Sequence, residues 1–343
     1  MRISSSAPGV RRALAGTMSA TCVATLAACG TGGSPRATAP APASAAPAAP
    51  RPAPPRRRAV RLRVSRVASV PAPIQLPGLA RTSDGRVLAV GGLDGADAST
   101  AGVISVLPGT SRVIGQLPVA AHDIGVTAIR RTVYAFGGGT SSGPIDTITA
   151  IDAGGRAKAV GHLPVAMSDT TAVTLGATAY VVGGYTTTAP LRSVLAFRPG
   201  RRVRVAAEMP NPVRYAAAAA IGSRIYVAGG TTGTQARREI LEIDPKTHRT
   251  RVVARLPGPI AHAAGATLGG LFYVLGGRDD SLTGQTSAIW AFDPATRRLR
   301  RAGRLPKALS DLAAVTDGDH LVVVGGRDSA GGVHAERWTL RPA

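Results

Sequence analysis

The sequence VLAVGG at residues 87–92 recurs in five related forms: YAFGG at 134–138, YVVGG at 180–184, YVAGG at 226–230, YVLGG at 273–277 and VVVGG at 322–326. Successive first glycines lie 46, 46, 46, 47 and 49 residues apart. A fixed period of this length is typical of chains that repeat one supersecondary unit, and it favours a propeller.

A second series runs in phase with the glycine pairs. It consists of apolar residues followed by proline, at Val70-Pro71, Leu117-Pro118, Leu163-Pro164, Met209-Pro210, Leu256-Pro257 and Leu305-Pro306. Their prolines are spaced 47, 46, 46, 47 and 49 residues apart, so two independent markers share one period.

Each repeat contains four predicted strands. The first follows the proline, as at 124–129, and the second is the run into Gly-Gly, apolar on both faces and therefore buried on both. A third strand such as 240–243 ends at an Asp-Pro turn, and a basic strand such as 297–301 completes the unit. Four antiparallel strands are one propeller blade.

The ends of the chain predict how the ring closes. The last repeat stops after its third strand at 336–340, and the missing fourth strand is available at Val60–Val70. The sequence therefore predicts an all-β fold over residues 59–343: a six-bladed β-propeller with four antiparallel strands per blade, closed by an N-terminal strand that completes the last blade.

These markers resemble the Kelch repeat, which carries the apolar run into Gly-Gly, the later Asp-Pro turn and the proline before the first strand. One feature departs from that pattern: Kelch repeats usually have Trp in the fourth strand, where this chain has Val203, Val252 or Leu299. The resemblance implies the propeller fold and, in peptide-binding members, a recognition surface near the loops that precede the first strands.

The N-terminus predicts export and attachment to a membrane. Residues 1–28 combine a basic start with a short, weakly apolar stretch, which is typical of a signal peptide. Leu26-Ala27-Ala28-Cys29-Gly30 resembles the bacterial lipobox, which implies lipidation of Cys29 and a position on the extracytoplasmic face of the cell membrane. Without use of the lipobox the protein would be secreted, and Arg11-Arg12 leaves the export route open.

Residues 29–58 are predicted to form a semi-extended tether, because proline, alanine, serine and arginine dominate there and cannot build a core. The other cysteine, Cys22, falls within the signal peptide, so we expect no intramolecular disulfide.

The charge is strongly basic, with a formal net charge of +22. Of 41 basic residues only three are lysines, and an arginine-rich, lysine-poor composition is also what a GC-rich genome produces. Aromatic interleaving is missing, so we expect no nucleic-acid partner. Many arginines lie in or beside the fourth strands, where charge can protect an exposed edge from pairing with another sheet. The functional alternative is that they contact an anionic cell-wall polymer. These residues are Arg201, Arg202, Arg204, Arg249, Arg251, Arg297, Arg298, Arg300 and Arg301.

Antiparallel order places the loop before each first strand and the loop after each Gly-Gly on the same rim of the central channel. The candidate ligand-binding residues lie four and five positions beyond each marker proline: Gln75, His122, Asp123, Ser168, Asp169, Arg214, Tyr215, His262, Ser310 and Asp311. A cationic group, a metal ion or a sugar would suit this set. The alternative is that these side chains hydrogen-bond the loop backbone.

No residue spacing is diagnostic of a metal site, and we expect no metal or cofactor. The glycine pairs match no phosphate-binding motif and are predicted to be structural. With no cysteine in the predicted propeller, the copper-dependent galactose oxidase activity known among Kelch propellers is excluded, because that metal site needs a Cys–Tyr cross-link.

The sequence thus favours a monomeric, lipid-anchored binding protein that presents one rim to a peptide, protein or glycan. The alternative implied by the resemblance is a sugar-acting enzyme of mutarotase or epimerase type, in which His122, Asp169, Arg214 or His262 would supply a general acid or base.

Overall fold

The computed structural model describes residues 61–343. The predicted signal peptide, Cys29 and the whole predicted tether lie outside these residues. Between Arg61 and Ala343 no helix is long and apolar enough to cross a membrane.

The described chain forms six four-stranded antiparallel sheets, which are the blades of a propeller, and one two-stranded hairpin. The strands of blades 1 to 3, preceded by the N-terminal strand, are β1 (Leu62–Ser69), β2 (Gly78–Arg81), β3 (Val87–Val90), β4 (Gly102–Ser105), β5 (Arg112–Gln116), β6 (Gly125–Ile129), β7 (Thr132–Phe136), β8 (Gly139–Thr140), β9 (Gly143–Pro144), β10 (Thr147–Ile151), β11 (Ala157–His162), β12 (Thr171–Leu175), β13 (Thr178–Val182), β14 (Ser193–Phe197) and β15 (Arg204–Glu208).

Blades 4 to 6 follow the same order. Their strands are β16 (Ala217–Ile221), β17 (Arg224–Ala228), β18 (Glu239–Asp244), β19 (Arg249–Arg255), β20 (Ala264–Leu268), β21 (Leu271–Leu275), β22 (Ala288–Asp293), β23 (Arg298–Arg304), β24 (Ala313–Asp317), β25 (His320–Val324) and β26 (Glu336–Pro342). The hairpin β8–β9 sits in the loop after the second glycine pair and was not predicted.

The N-terminal strand closes the ring, which confirms the predicted closure. The last sheet has the order β1-β26-β25-β24, and β1 pairs antiparallel with β26 from Leu62 opposite Pro342 to Ser69 opposite Glu336. The strand is shorter than the predicted Val60–Val70 stretch. Closure is thus made by backbone hydrogen bonds between the two ends of the propeller.

The core consists of separate apolar layers between neighbouring blades. The second strands β13 and β21 are buried at every position, as expected for sheets covered on both faces. Their side chains alternate between the two adjacent layers, with Tyr273 and Leu275 in one and Phe272 and Val274 in the other.

The innermost strands use small residues because six of them converge on one axis. Ala217–Ile221 reads AAAAI and Ala264–Leu268 reads AGATL. A Cβ at Gly265 would collide with the backbone of Ala218 in the neighbouring blade. The outermost strands instead carry a bulge in every blade, which twists these exposed edges and discourages pairing with another sheet.

Candidate functional site

Six residues with left-handed backbone surround one mouth of the central channel. Each stands two residues before an innermost strand, and their φ angles lie between 55° and 61°: Leu76, Asp123, Asp169, Tyr215, His262 and Asp311. Aspartate and histidine tolerate this conformation better than most side chains. The backbone geometry is therefore one reason why the sequence places acids and histidine here.

The backbone of this ring connects blade to blade. The amide of Leu76 donates to the Asp311 carbonyl at 2.7 Å, and the amides of His262 and Asp311 donate to the preceding ring carbonyls at 3.0 Å each. Tyr215 donates to the Asp169 carbonyl at 3.1 Å and Asp123 to the Leu76 carbonyl at 3.4 Å. The left-handed turn thus directs amides and carbonyls around the channel and ties the blades together.

The residue before each ring member pairs with the loop that follows a glycine pair. These antiparallel bridges join Gln75 to Leu93, His122 to Gly139, Ser168 to Tyr185, Arg214 to Thr231, Ala261 to Arg278 and Ser310 to Arg327. The two sets of loops therefore share one rim, as the strand order predicted. We call these twelve residues and the six ring residues the channel-mouth rim.

Gln75, Ser168 and Ser310, three of the predicted rim residues, are buried. Gln75 donates from Nε2 to Oδ1 of Asp97 at 2.6 Å, and Ser310 Oγ donates to Oδ2 of Asp311 at 2.6 Å. Ser168 is only 6% exposed. Gln75, Ser168 and Ser310 therefore shape the rim from beneath, and a ligand contact by any of them stays a prediction.

Asp311 is the centre of one polar cluster. Its Oδ1 lies 2.5 Å from Nδ1 of His262, and its Oδ2 accepts a hydrogen bond of 2.5 Å from Nη2 of Arg278. Burial opposes ionisation of this carboxyl, but the hydrogen bond and charge of His262, together with Arg278 and Ser310, lower the pKa of Asp311 to about 2. Asp311 is consequently a fixed anion at neutral pH.

A second cluster joins Asp169, Arg214, Tyr215 and Asp123. Arg214 Nε lies 2.6 Å from Oδ2 of Asp169, and its guanidinium stands 4.3 Å from the ring centre of Tyr185 and 4.7 Å from that of Tyr215. Arg214 Nη2 donates to the Tyr215 hydroxyl at 3.1 Å. That hydroxyl donates to Oδ2 of Asp123 at 3.2 Å. The guanidinium is thus held between two aromatic faces and a carboxylate.

The two clusters differ in how their carboxyl groups ionise. Burial raises the pKa of Asp123 well above its ordinary value, and the neighbouring charges of Asp169 and Asp311 raise it further. Asp123 therefore keeps a proton to a higher pH than an exposed aspartate. The rings of Tyr215 and His262 stack at 3.7 Å and connect the two clusters.

His122 lies beside this pair of clusters. Its Nδ1 is 2.9 Å from Oγ of Ser99, and its Nε2 is 3.7 Å from Oδ2 of Asp123. Burial lowers the pKa of His122, an effect that the charge of Asp169 opposes. Its imidazole is therefore held closer to the neutral form.

Below the ring the channel is narrow. Its cavity measures about 140 Å³ and is lined by the ring residues and by small side chains of the innermost strands, among them Thr171, Ala218, Ala264 and Ala314. This volume holds several waters but not a large ligand. Within residues 61–343, no three His, Cys, Asp or Glu side chains are placed to hold a metal ion. A ligand of any size would have to rest on the rim.

Unpaired buried polar atoms concentrate on this face. Six buried side-chain atoms of the described chain have no hydrogen-bond partner within the protein, and four belong to the rim or its loops: Oδ2 of Asp169, Oγ1 of Thr170, Nε of Arg214 and Oε1 of Gln285. The Arg214–Asp169 contact is thus an ion pair without good hydrogen-bond geometry. Two of these four atoms, Oδ2 of Asp169 and Nε of Arg214, are therefore partners of each other.

Sequence reasoning did not identify Tyr185, Ser99 or Gln285 as rim components. Tyr185 directly follows the third glycine pair, and the other five repeats have Leu93, Gly139, Thr231, Arg278 and Arg327 at this position. The sequence could have indicated this position as part of the rim, because it follows the glycine pair in every repeat. Only the folded ring shows that Arg214 from the next blade lies on the Tyr185 face.

Comparisons with known proteins agree with this architecture. The family model described as "KLHDC2/KLHL20/DRC7 Kelch-repeats domain" matches residues 124–326, more than half of the chain. The solved structure of YjhT superimposes with a TM-score of 0.68 and 14% sequence identity, over 78% of this chain and 95% of that chain. None of the curated proteins matches the chain. The likeness to YjhT shows the fold, and the family match shows that this protein belongs to the Kelch-repeat β-propeller family.

Proposed function

We propose that this protein is an exported, lipid-anchored Kelch-repeat binding protein whose channel-mouth rim binds a peptide, protein or glycan. Its propeller presents loops from all six blades around one mouth, and Cys29 in a lipobox-like sequence would attach the tether to a membrane. A Kelch propeller is a common scaffold for binding, but function depends on the residues of the site.

The Arg214 side chain carries this proposal. It is 24% exposed, and Asp169, Tyr185 and Tyr215 hold its guanidinium in place, so a polar ligand would meet a preorganised donor beside an aromatic face. Acids and arginines on the rim largely neutralise each other, as in the pairs Arg278–Asp311 and Arg327–Asp97. This balance favours a ligand with many neutral donors and acceptors, such as sugar hydroxyls or a peptide backbone.

Glycan and peptide arrays probed with the full chain test the proposal. The double variant Tyr185→Ala with Arg214→Gln removes the aromatic face and the cation together, and it should weaken binding at least about tenfold. Arg131→Gln, at an exposed turn on the opposite rim, is the control and should bind normally. Equal binding by the double variant at an unchanged melting temperature would place the ligand elsewhere.

Membrane attachment is tested separately. Cys29→Ala should move the full-length protein from the detergent phase to the aqueous phase in a detergent partition. Retention of the unaltered, exported protein in the aqueous phase would contradict lipidation and leave a secreted protein.

A second function is favoured by one observation, the buried Asp123 carboxyl, which accepts a hydrogen bond from the Tyr215 hydroxyl and whose pKa is raised by burial. A buried carboxyl with a raised pKa can act as a general acid, so a mutarotase-like or epimerase-like activity on a sugar is the alternative. Anomer exchange followed by NMR distinguishes the two. Exchange above the buffer rate that Asp123→Asn abolishes would establish catalysis, whereas exchange at the buffer rate for a broad sugar panel supports binding alone.

A further inference from the structure

Arginines crowd the outermost strands of four consecutive blades and leave the other two nearly bare. We call these fourteen residues the arginine belt; all are exposed, and they lie on or next to β15, β19, β23 and β1: Arg201, Arg202, Arg204, Arg249, Arg251, Arg255, Arg297, Arg298, Arg300, Arg301, Arg304, Arg61, Arg63 and Arg66. Counted in the same way, the outermost strands of blades 1 and 2 have three cations in total: Arg112 on β5, and Arg156 and Lys158 beside and on β11. Biased composition would enrich every blade, so it does not explain this asymmetry.

The belt is almost free of compensating acids. Only Arg251 and Arg255 lie within 4.0 Å of a carboxylate in the described chain, on Glu242 and Glu239. The sole acid on the four strands is Glu208, which pairs with Arg192. Protection of an exposed edge explains isolated charges, but β19 carries three arginines and β23 carries four. The arginines of the belt repel one another, so an anionic partner that neutralises them would be attracted strongly.

Two outer strands of the belt form a groove. It lies between β23 and β1, measures about 450 Å³, and has arginines on both sides: Arg301 and Arg304 from blade 5, Arg61 and Arg63 from blade 6. A bound chain with one anionic group after another could thus be contacted from two blades at once.

The curvature of the belt discriminates between anionic partners. Neighbouring blades of a six-bladed ring are about 60° apart, so four outer strands extend over about 180° of the circumference. A flat bilayer could touch only one or two of these strands, whereas a flexible chain can follow all four. None of these four strands contains an aromatic residue, so the belt has no side chains on which nucleic-acid bases could stack.

From these observations we infer that the arginine belt binds a flexible linear phosphate polymer, of polyphosphate or phosphodiester type, with the β23–β1 groove at one end of the bound stretch. Guanidinium groups pair with the oxygens of phosphate in a bidentate manner. A tetrahedral phosphate in a chain offers charged oxygens in more than one direction, which suits arginines approaching from two blades. This surface is separate from the channel-mouth rim, so it does not depend on the function proposed for the rim.

Fluorescently labelled linear polyphosphate tests the inference with the full chain carrying Cys29→Ala, which prevents lipid attachment. The belt variant combines Arg63→Gln, Arg298→Gln, Arg300→Gln and Arg301→Gln. The control combines Arg112→Gln, Arg130→Gln, Arg156→Gln and Lys158→Gln, which removes the same charge from blades 1 and 2. We expect the belt variant to bind at least about tenfold more weakly with a shallower salt dependence, and the control to change less than about twofold.

Three results would overturn the inference. Equal losses in both variants would show that net charge alone attracts the polymer. Tighter binding to phosphatidylglycerol vesicles than to polyphosphate would identify a membrane surface, and tighter binding to polyglutamate would identify a carboxylate polymer. If the belt variant unfolds, Arg202→Gln, Arg204→Gln, Arg249→Gln and Arg297→Gln replace it, with the same expected loss.

Discussion

The first glycine of each pair has a left-handed backbone and lies against a carbonyl of the next blade. Gly183 has φ 60°, and a Cβ there would meet the carbonyl oxygen of Val213. The amide of the next residue, Gly184, donates a hydrogen bond of 2.9 Å to the same carbonyl oxygen. The glycine pair is therefore a contact between blades as well as a turn within one, which explains why it recurs in every repeat.

Replacement of Gly183 separates backbone strain from this contact. We expect Gly183→Ala to lower the free energy of unfolding by about 3 kcal/mol, because a strained φ and a collision with Val213 add together. Gly222→Ala is the matched control: its φ is 61°, yet nothing lies within 4 Å of the added Cβ. Its cost should be about 1 kcal/mol in urea unfolding. Equal losses would mean that the carbonyl contact is unimportant.

One residue breaks the pattern of the core. Arg337 is 2% exposed at a third-strand position held by Ile148, Ile240 and Ile289 in other blades. Its Nε has no hydrogen-bond partner in the described chain, and Nη1 reaches only Thr339 Oγ1, at 3.4 Å. Burial lowers the pKa of Arg337, against the opposing charge of Asp317.

Replacing this buried cation with a flexible apolar side chain should stabilise the protein. We expect Arg337→Met to raise the free energy of unfolding by about 1–3 kcal/mol, since the cost of desolvating the guanidinium disappears. Arg63→Met, at an exposed position of β1, should change it by less than about 0.5 kcal/mol. A loss of stability in Arg337→Met would show that the guanidinium makes favourable contacts that outweigh its burial.

At the scale of elements, β1 carries the closure of the ring. Leu62 is 7% exposed and belongs to the core layer between blades 5 and 6, whereas Val67 on the same strand is 43% exposed. Its apolar contacts and its pairing with β26 therefore depend on the first residues of the described chain.

Truncation of these two side chains measures how much closure depends on apolar packing. Leu62→Ala should cost about 2–4 kcal/mol, as for other buried leucines, and should lower the midpoint of one cooperative thermal transition. Val67→Ala should cost less than about 0.5 kcal/mol. If Leu62→Ala matched Val67→Ala, the ring would be held closed by the backbone pairing of β1 with β26 alone.

At the scale of the whole molecule, the channel-mouth ring links ionisation to stability. The folded-state pKa of Asp311, about 2, is below its ordinary value of 3.8. Its ionised form therefore stabilises the fold above about pH 4, and that contribution disappears as the pH falls from about 4 to 2. Asp123 has the opposite effect on the pH dependence of stability, because its pKa is raised in the folded state. Its contribution to stability is complete below its ordinary pKa and is lost as the pH rises through the folded-state pKa.

Acid unfolding of Asp311→Asn tests this linkage. We expect the variant to lose about 2 kcal/mol at pH 7, and more if Arg278 and His262 are left uncompensated, while its stability falls less steeply between pH 4 and 2. Asp280→Asn, in an exposed loop of blade 5, should leave the pH profile unchanged. An Asp311→Asn profile parallel to that of the unaltered protein would assign the acid sensitivity to other carboxyls.

The repeat phase predicted the blade number, the strand order, the closure by β1 and the rim shared by two sets of loops. It could do so because these features depend on local patterns: buried second strands, glycines where a Cβ cannot fit, and prolines before first strands. It placed strand ends only to within a few residues, as for β23, predicted near 297–301 and found at Arg298–Arg304. The bulge opposite Ile289 and Trp290 adds one residue to β23.

The glycine pairs of the opening sequence thus determined the architecture by themselves, because a strand that ends on two left-handed residues against the next blade permits almost no other side chain. Only the tertiary structure decided which charges meet. Arg214 lies between Tyr185 and Tyr215, burial and the charge of Asp169 raise the pKa of Asp123, and Arg337 occupies a core position. These contacts join residues from different blades, and distances across a closed ring are set by the packing of all six blades rather than by any single repeat.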